Sequence, residues 1–485
     1  MYKNKLMGDN IMIDEIFKWF REINNIPRES GNEKGISVFL VQFAKDRKLE
    51  VYQDEALNVI IKKKATKGYE KSPTVIIQGH MDMVCEKALG SNHNFDIDPI
   101  EMIQEGDILK ANNTTLGADN GIAIAYSLAL LDSDNIAHPN LEILCTASEE
   151  TDMSGALSLT RDHLSGDIVL NIDGEEEGIF LISSAGGITP LVKFKIKKES
   201  FDYNCLKISI SNLQGGHSGM EIDKQRANAI KLMGRLLYSV KDIINIVSIK
   251  GGSKDNAIAV YSEAIISSRD IDEVKKSVSK IYSDIKKEYE FEDPNINIVV
   301  EDVIGDVYNE MFSRESTDDI IEFIYALPYG VEYMFNNEEL KGIVKASLNL
   351  GIAEYTGKEV VFTISIRSAS DSILDEIRNK IKILARRMNA DVEETSKYPS
   401  WQYSKDSKIR DIVLKSYKEF SGKEPTITAV HAGLECGILK NLIPNADIIS
   451  FGPDIFKVHT YEEYCSISSV CRTFEYLQKL LSEIK

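Results

Sequence analysis

The sequence predicts an α/β fold, a mostly parallel twisted sheet flanked by helices, into which a second, α+β domain is inserted. Three observations carry this. Short apolar runs at Thr74–Gln78, Leu141–Ala147 and Ile168–Ile172 are rich in β-branched residues or leucine, as in strands buried on both faces. Helical patterns alternate with these runs, the order that builds a parallel sheet between helix layers. Around residues 186–192 the character changes. Val192, Phe194 and Ile196 alternate with lysines, and Leu206, Ile208 and Ile210 alternate with polar residues, the period-two pattern of a sheet with one wet face.

The elements follow in chain order. Ile16, Trp19, Phe20 and Ile23 fall at helical spacing ahead of Pro27, and a second helix spans Ile36 to about Arg47. Gly121–Leu131 is small and apolar throughout, a buried helix between two strands. In the inserted region, helices are expected at Ala227–Val240 and Ile271–Tyr289. The strand–helix unit recurs late, as Val360–Ile366 followed by Ile373–Met388. The pattern changes again around Tyr398–Trp401. A helix near 408–420 and the run Ala446–Phe451 then return to the first sheet, and Ser466–Ile484 is an amphipathic helix. The expected division is therefore 1–185 plus 398–485 for the larger domain and 186–397 for the insertion. A chain of 485 residues has room for both.

Composition excludes several functions. Acidic residues number 76 against 57 basic, a net charge of -19. That balance argues against a nucleic-acid partner and against docking on an anionic membrane. No stretch approaches the ~20 apolar residues of a membrane-spanning helix. The opening MYKNKLMGDNIMIDEIFKWF does not read as a signal peptide. Six cysteines at 85, 145, 205, 436, 465 and 471 lack CxxC spacing and are expected as reduced thiols in a cytoplasmic protein.

Chemistry-bearing residues gather just past the ends of the expected strands, where open α/β sheets bind ligands. Gly79-His80-Met81-Asp82 follows the first strand, and Leu116-Gly117-Ala118-Asp119-Asn120-Gly121 precedes the buried helix. Ser148-Glu149-Glu150, Asp173-Gly174 and, beyond Gly452-Pro453, His459 follow later strands. Carboxylates packed in one cleft repel and lose solvation unless cations offset them. Imidazole plus carboxylate suits zinc, cobalt or manganese. Two ions need a shared carboxylate, and Asp119, in a glycine-rich turn, is the choice for it, although a plain helix N-cap would look the same. In His80-x-Asp82 both side chains share one strand face, so Asp82 can hold the imidazole N–H. One of Glu149 and Glu150 can ligate while the other serves as a base; the residues alone leave open which. Taken singly, each motif has an ordinary reading as a turn, a cap or a solvated loop. His93, His138 and His163 sit in polar context and are read as surface residues.

The segments GHMDMV, LGADNGIAIA, ASEETDMSGA, NIDGEE, GGHSG and SFGPDIFKVHTYEE together resemble the zinc-dependent metallopeptidase family of aminoacylase, the glutamate carboxypeptidases and the cytosolic dipeptidases, over essentially the whole chain. The resemblance implies two divalent ions, zinc first with cobalt or manganese as alternatives. His80 and Asp173 would hold one, Glu150 and His459 the other, with Asp119 bridging. It assigns Glu149 as general base acting on a metal-activated water, and Asp82 as the partner of His80. It implies a cis peptide between Asp119 and Asn120. In the insertion, which would serve as a lid, His217 would stabilise the tetrahedral intermediate, and Asn256 and Arg367 would contact substrate, Arg367 at its C-terminal carboxylate. Two departures stand out: Tyr461 and Ala259 occupy positions where many relatives carry proline. The implied reaction is hydrolysis of small dipeptides, either Xaa-His or of broad specificity. A tripeptide aminopeptidase or an N-acyl amino acid deacylase are the alternatives within the family, and a metal-binding scaffold without catalysis is the alternative outside it. A small peptide is the expected partner, and a homodimer is left open.

Overall fold

The computed structural model describes residues 15–304 and 308–485; the opening segment read above for a leader lies outside them up to residue 14. The chain forms two compact units. One contains the described residues up to Ser183 together with Tyr403–Ala429 and Leu434–Lys485, and the other contains Ser184–Gln402 and Val430–Gly433.

The first unit is built on an eight-stranded sheet. Its order is Glu50–Gln53, Val59–Lys63, Leu141–Thr146, Val75–His80, Ile168–Asn171, Asp447–Ser450, Ile179–Ser184 and Thr426–Val430. The central four strands are parallel, and antiparallel strands flank them. Centre strands are covered on both faces, which is why Val75–His80 and Leu141–Thr146 are buried at every position. The helix Ala118–Asp132 is buried from Asn120 to Leu131; an element enclosed all round needs no polar face, and its sequence has none. On the rim, Lys408–Ser421 and Ile467–Glu483 pack through Tyr417 and Tyr476, whose rings meet edge-on at 5.0 Å. Ser407 and Ser466 cap these two helices with their side chains. A four-stranded sheet includes the hairpin Ile455–Phe456 with Tyr464–Ser466, whose loop carries His459.

The second unit carries a nine-stranded sheet in which, among the described residues, neighbouring strands pair antiparallel. Its alternating strands, such as Cys205–Ser211, turn Leu206, Ile208 and Ile210 into one core with the helices Ala229–Ser239, Ile271–Glu288, Arg314–Ala326 and Asp371–Arg387. Asn228 caps the first of these by accepting from the Ile230 and Lys231 amides.

One surface assignment is corrected. His138 is fully buried, with Nδ1 2.7 Å from the Pro139 carbonyl oxygen. Its amide donates to Thr66 Oγ1 at 2.9 Å and its carbonyl oxygen accepts from the Thr66 amide at 3.0 Å, which ties this polar loop down. His93 and His163 are half-buried, and His163 stacks on Tyr52.

Candidate functional site

In the first unit the C-terminal ends of the parallel strands converge. His80 ends its strand, Glu149 and Glu150 follow Leu141–Thr146, and Asp173 lies two residues beyond Ile168–Asn171. Asp119 sits in the first turn of Ala118–Asp132, where Gly117 adopts φ +69°. The peptide from Asp119 to Asn120 is cis, as the resemblance implies.

Asp119 faces two histidines with different oxygens. Its Oδ1 lies 3.1 Å from His80 Nε2, and its Oδ2 lies 3.2 Å from His459 Nε2. His80 Nε2 also lies 3.6 Å from Asp173 Oδ1 and 3.9 Å from Glu149 Oε2. His459 Nε2 lies 3.0 Å from Glu150 Oε2. Three sets of ligand atoms fall within 4.8 Å of one another: His80 with Asp119 and Asp173, Asp119 with Glu150 and His459, and His80 with Glu149 and Glu150. The first two share Asp119. The third overlaps both, so spacing alone leaves Glu149 within reach of an ion.

Burial and charge explain the titration of these groups. Burial pushes Glu149 up to about 8, with Glu435, Glu150 and Asp119 adding repulsion against the pull of His80. Burial likewise holds Asp173 well above the carboxylate range. Burial alone would lower His80, but its bonds to Asp119 and Asp82 outweigh that and leave it well above an ordinary imidazole. His459 rises to about 11, chiefly through its bonds to Asp119 and Glu150. Asp119 goes the other way: burial opposes ionisation, but the two imidazoles prevail and hold it well below the usual range. The excess of carboxylates makes the site seek positive charge. Glu150 Oε1 and Asn120 Oδ1 are buried without a hydrogen-bond partner, and an orphaned buried carboxylate oxygen among oxygen and imidazole donors is what a divalent ion satisfies. The residues therefore fit a metal pair.

Asp82 ties the His80 segment to the Glu149–Glu150 segment. His80 Nδ1 lies 3.2 Å from the Asp82 carbonyl oxygen and 3.4 Å from Asp82 Oδ1, which also accepts from the Glu149 amide at 3.1 Å. Asp82 Oδ2 accepts from the Glu150 amide at 3.2 Å and from the Ser30 hydroxyl at 2.7 Å. Burial raises its pKa, but these bonds, His80 first, bring it below the ordinary value.

Several residues here carried no signal in the sequence reading. Glu435 is fully buried, accepts from Gln78 and Thr146, and is pushed up to about 8 by burial. Arg28 is 2% exposed and donates to the Met81, Asp82 and Gly117 carbonyl oxygens. Glu463, within the quoted HTYEE, binds the Asp119 turn. Glu175 rises to about 7 through burial and Asp119.

His217, Asn256 and Arg367 belong to the second unit. His217 Nδ1 accepts from the Gly219 and Met220 amides, both at 3.2 Å, so a neutral ring carries its proton on Nε2. The His217 segment pairs with that of Asn256, whose carbonyl oxygen accepts from the Ser218 amide at 2.8 Å. Arg367 donates through Nη1 to the Tyr398 hydroxyl at 3.0 Å, and its Nε is buried without a partner. His431, absent from the sequence reading, lies 2.7 Å from Ser347 Oγ and is lowered to about 3, first by burial and then by Arg367 and His217.

An α/β sheet with convergent imidazoles and carboxylates at its C-terminal edge defines a metallohydrolase, and the chain belongs to peptidase family M20/M25/M40, whose model matches residues 76–483. It is 34% identical over 471 residues to the cytosol non-specific dipeptidase of Escherichia coli K12, covering 96% of each chain. The crystal structure of aminoacylhistidine dipeptidase from Vibrio alginolyticus superposes with a TM-score of 0.89 at 34% identity, covering 97% of this chain and 96% of that one. Aminopeptidase PepT from Bacillus cereus, at 14% identity and a TM-score of 0.57, covering 97% of this chain and 98% of its own, shares the fold. Among the described residues, no helix is long and apolar enough to cross a membrane.

Proposed function

We propose that the chain is a metallo-dipeptidase that hydrolyses the peptide bond of small dipeptides. The observation that carries this reading is Asp119, whose two oxygens face His80 and His459 separately, each with a further carboxylate beside it. His80 and Asp173 would hold one divalent ion, Glu150 and His459 the other, and Asp119 both; zinc suits the donors first, then cobalt or manganese. Ions bound there supply Lewis acidity, polarising a carbonyl and lowering the pKa of water toward neutrality.

The chain's own residues would do the rest. Glu149, whose Oε2 lies 3.9 Å from His80 Nε2 at the edge of the cluster, accepts a proton from the attacking water and returns it to the leaving amine. Asp82 holds His80 in one tautomer. His217 offers its Nε2 proton to the developing oxyanion. Arg367 suits the substrate carboxylate as a planar, always-charged donor, and Asn256 is the further substrate contact. The names of the two similar dipeptidases support a dipeptide substrate; one is termed non-specific and the other aminoacylhistidine, so both specificities belong in the test. The cytoplasmic reading rests on the former's name.

The test is a kinetic panel of Xaa-His and other dipeptides, tripeptides and N-acetyl amino acids, run before and after chelation and with zinc, cobalt or manganese restored. Dipeptides are expected to be turned over best, with activity lost on chelation and regained with metal. Preference for tripeptides or N-acyl amino acids would move the reading to an aminopeptidase or a deacylase. No turnover in protein shown to hold two ions would leave a metal-binding scaffold.

A further inference from the structure

We propose that Glu463 is a positioning residue that sets the turn carrying Asp119, with Arg28 as its counterpart on the carbonyl side. The carboxylate is 2% exposed and accepts from four consecutive backbone amides. Oε2 takes Leu116 N–H at 2.7 Å and Gly117 N–H at 2.9 Å; Oε1 takes Ala118 N–H at 2.7 Å and Asp119 N–H at 3.2 Å. The carbonyl oxygens of the same turn are held from other directions. Asn24 Nδ2 donates to Leu116 O at 3.1 Å, and Arg28 Nη2 to Gly117 O at 2.6 Å.

Arg28 joins this turn to the segment of the other histidine ligand. Its Nη1 donates to the carbonyl oxygens of Met81 and Asp82, both at 3.2 Å. Glycine makes room for it: a Cβ on Gly117 would meet Arg28 Nη2 at 2.3 Å, and one on Gly121 would meet it at 2.8 Å. Four N–H groups pointing at one carboxylate leave the turn little freedom to rotate, because any rotation breaks charge-assisted bonds in a buried place. The backbone under Asp119 is thus fixed by the chain itself, and the carboxylate that faces both histidines is aimed before any ion arrives.

This inference rests on the reading of Asp119 as the shared ligand. Glu463→Gln keeps the size but presents an NH2 group to two N–H donors, so at most half of the bonds survive. Glu142 is the control, another buried carboxylate that accepts backbone amides, Ser165 and Gly166, at the opposite end of the strands. The experiment titrates cobalt(II) into metal-free wild type, E463Q and E142Q, following the visible spectrum of the bound ion, with thermal unfolding of each metal-free protein alongside. E463Q is expected to bind cobalt about 10–100-fold more weakly with an altered spectrum. E142Q is expected to lose stability alone. Wild-type cobalt affinity and spectrum in E463Q would overturn the proposal and leave Glu463 a structural cap. If E463Q does not fold, E463D, which keeps both oxygens but shortens the reach, supplies the same readout, and wild-type affinity there overturns it equally. Failure of wild type to take up two ions would instead overturn the assignment of Asp119.

Discussion

At the N-terminal ends of the parallel strands, Glu142 is buried to 2% exposure. Its oxygens accept from the Ser165 amide and hydroxyl and the Gly166 amide, and Lys62 Nζ stands 3.4 Å away. At the C-terminal ends, Asp119, Glu149, Glu150 and Asp173 crowd around two imidazoles, and Glu150 Oε1 is buried without a partner. The same sheet therefore buries carboxylate in two ways. One end matches its acceptors with protein donors and gains only stability. The other concentrates acceptors beyond what protein donors supply, and its histidines are drawn toward the charged form. Buried charge that the fold satisfies is architecture; buried charge that the fold leaves short belongs to a ligand.

The comparison is broken most sharply at Glu149. Glu149→Gln should retain both ions while kcat falls by roughly 10²–10⁴-fold, the range for loss of a general base. Steady-state kinetics with elemental analysis of the same sample checks this, and a near-normal rate would transfer the role to another carboxylate. A smaller effect is expected at Asp82, which holds His80 and the two glutamate amides at once. Asp82→Asn should weaken metal binding or turnover by about 10–100-fold, read from metal titration of the metal-free protein. An unchanged titration would reduce Asp82 to a loop support. The smallest effect on chemistry belongs to the opposite end. Glu142→Gln should cost about 1–3 kcal/mol of stability in thermal unfolding and leave kcat and KM as they are. A change in either constant would mean that the two ends communicate.

Much of this was legible before any coordinates. Val75–His80, Leu141–Thr146 and Ile168–Asn171 stood out because full burial demands unbroken apolar runs. The segments carrying His80, Asp119, Glu149, Glu150, Asp173 and His459 stood out because they follow such runs. Glu50–Gln53 and Val59–Lys63 went unread: they are short and marginal, and their charged residues look like loop. Arg314–Ala326 was missed because its opening, RESTD, is polar even where Ser316 and Thr317 are buried, and its buried apolar residues begin only at Ile320. Glu463, Glu435 and Arg28 were silent for a different reason. Glu463 works on amides more than 340 positions away, and a backbone N–H has no letter in the sequence. His138 misled because polar neighbours signal a loop but not how deeply one of its residues is buried.

The separation of Asp119 from His459, 340 positions along the chain, has a consequence for biosynthesis. At typical rates of ~5–20 residues per second, roughly 20–70 s pass on the ribosome between making one residue and the other. Once Asp173 has been made, His80, Asp119, Glu149, Glu150 and Asp173 exist without His459 for the rest of that interval, and Asp119 exists without Glu463. The nascent chain holds an incomplete set of ligands on an unbraced turn. On the proposed ligand set, the second ion's site is complete only once the hairpin Ile455–Phe456 with Tyr464–Ser466 pairs with Ile108–Ala111, so full metal affinity would follow translation.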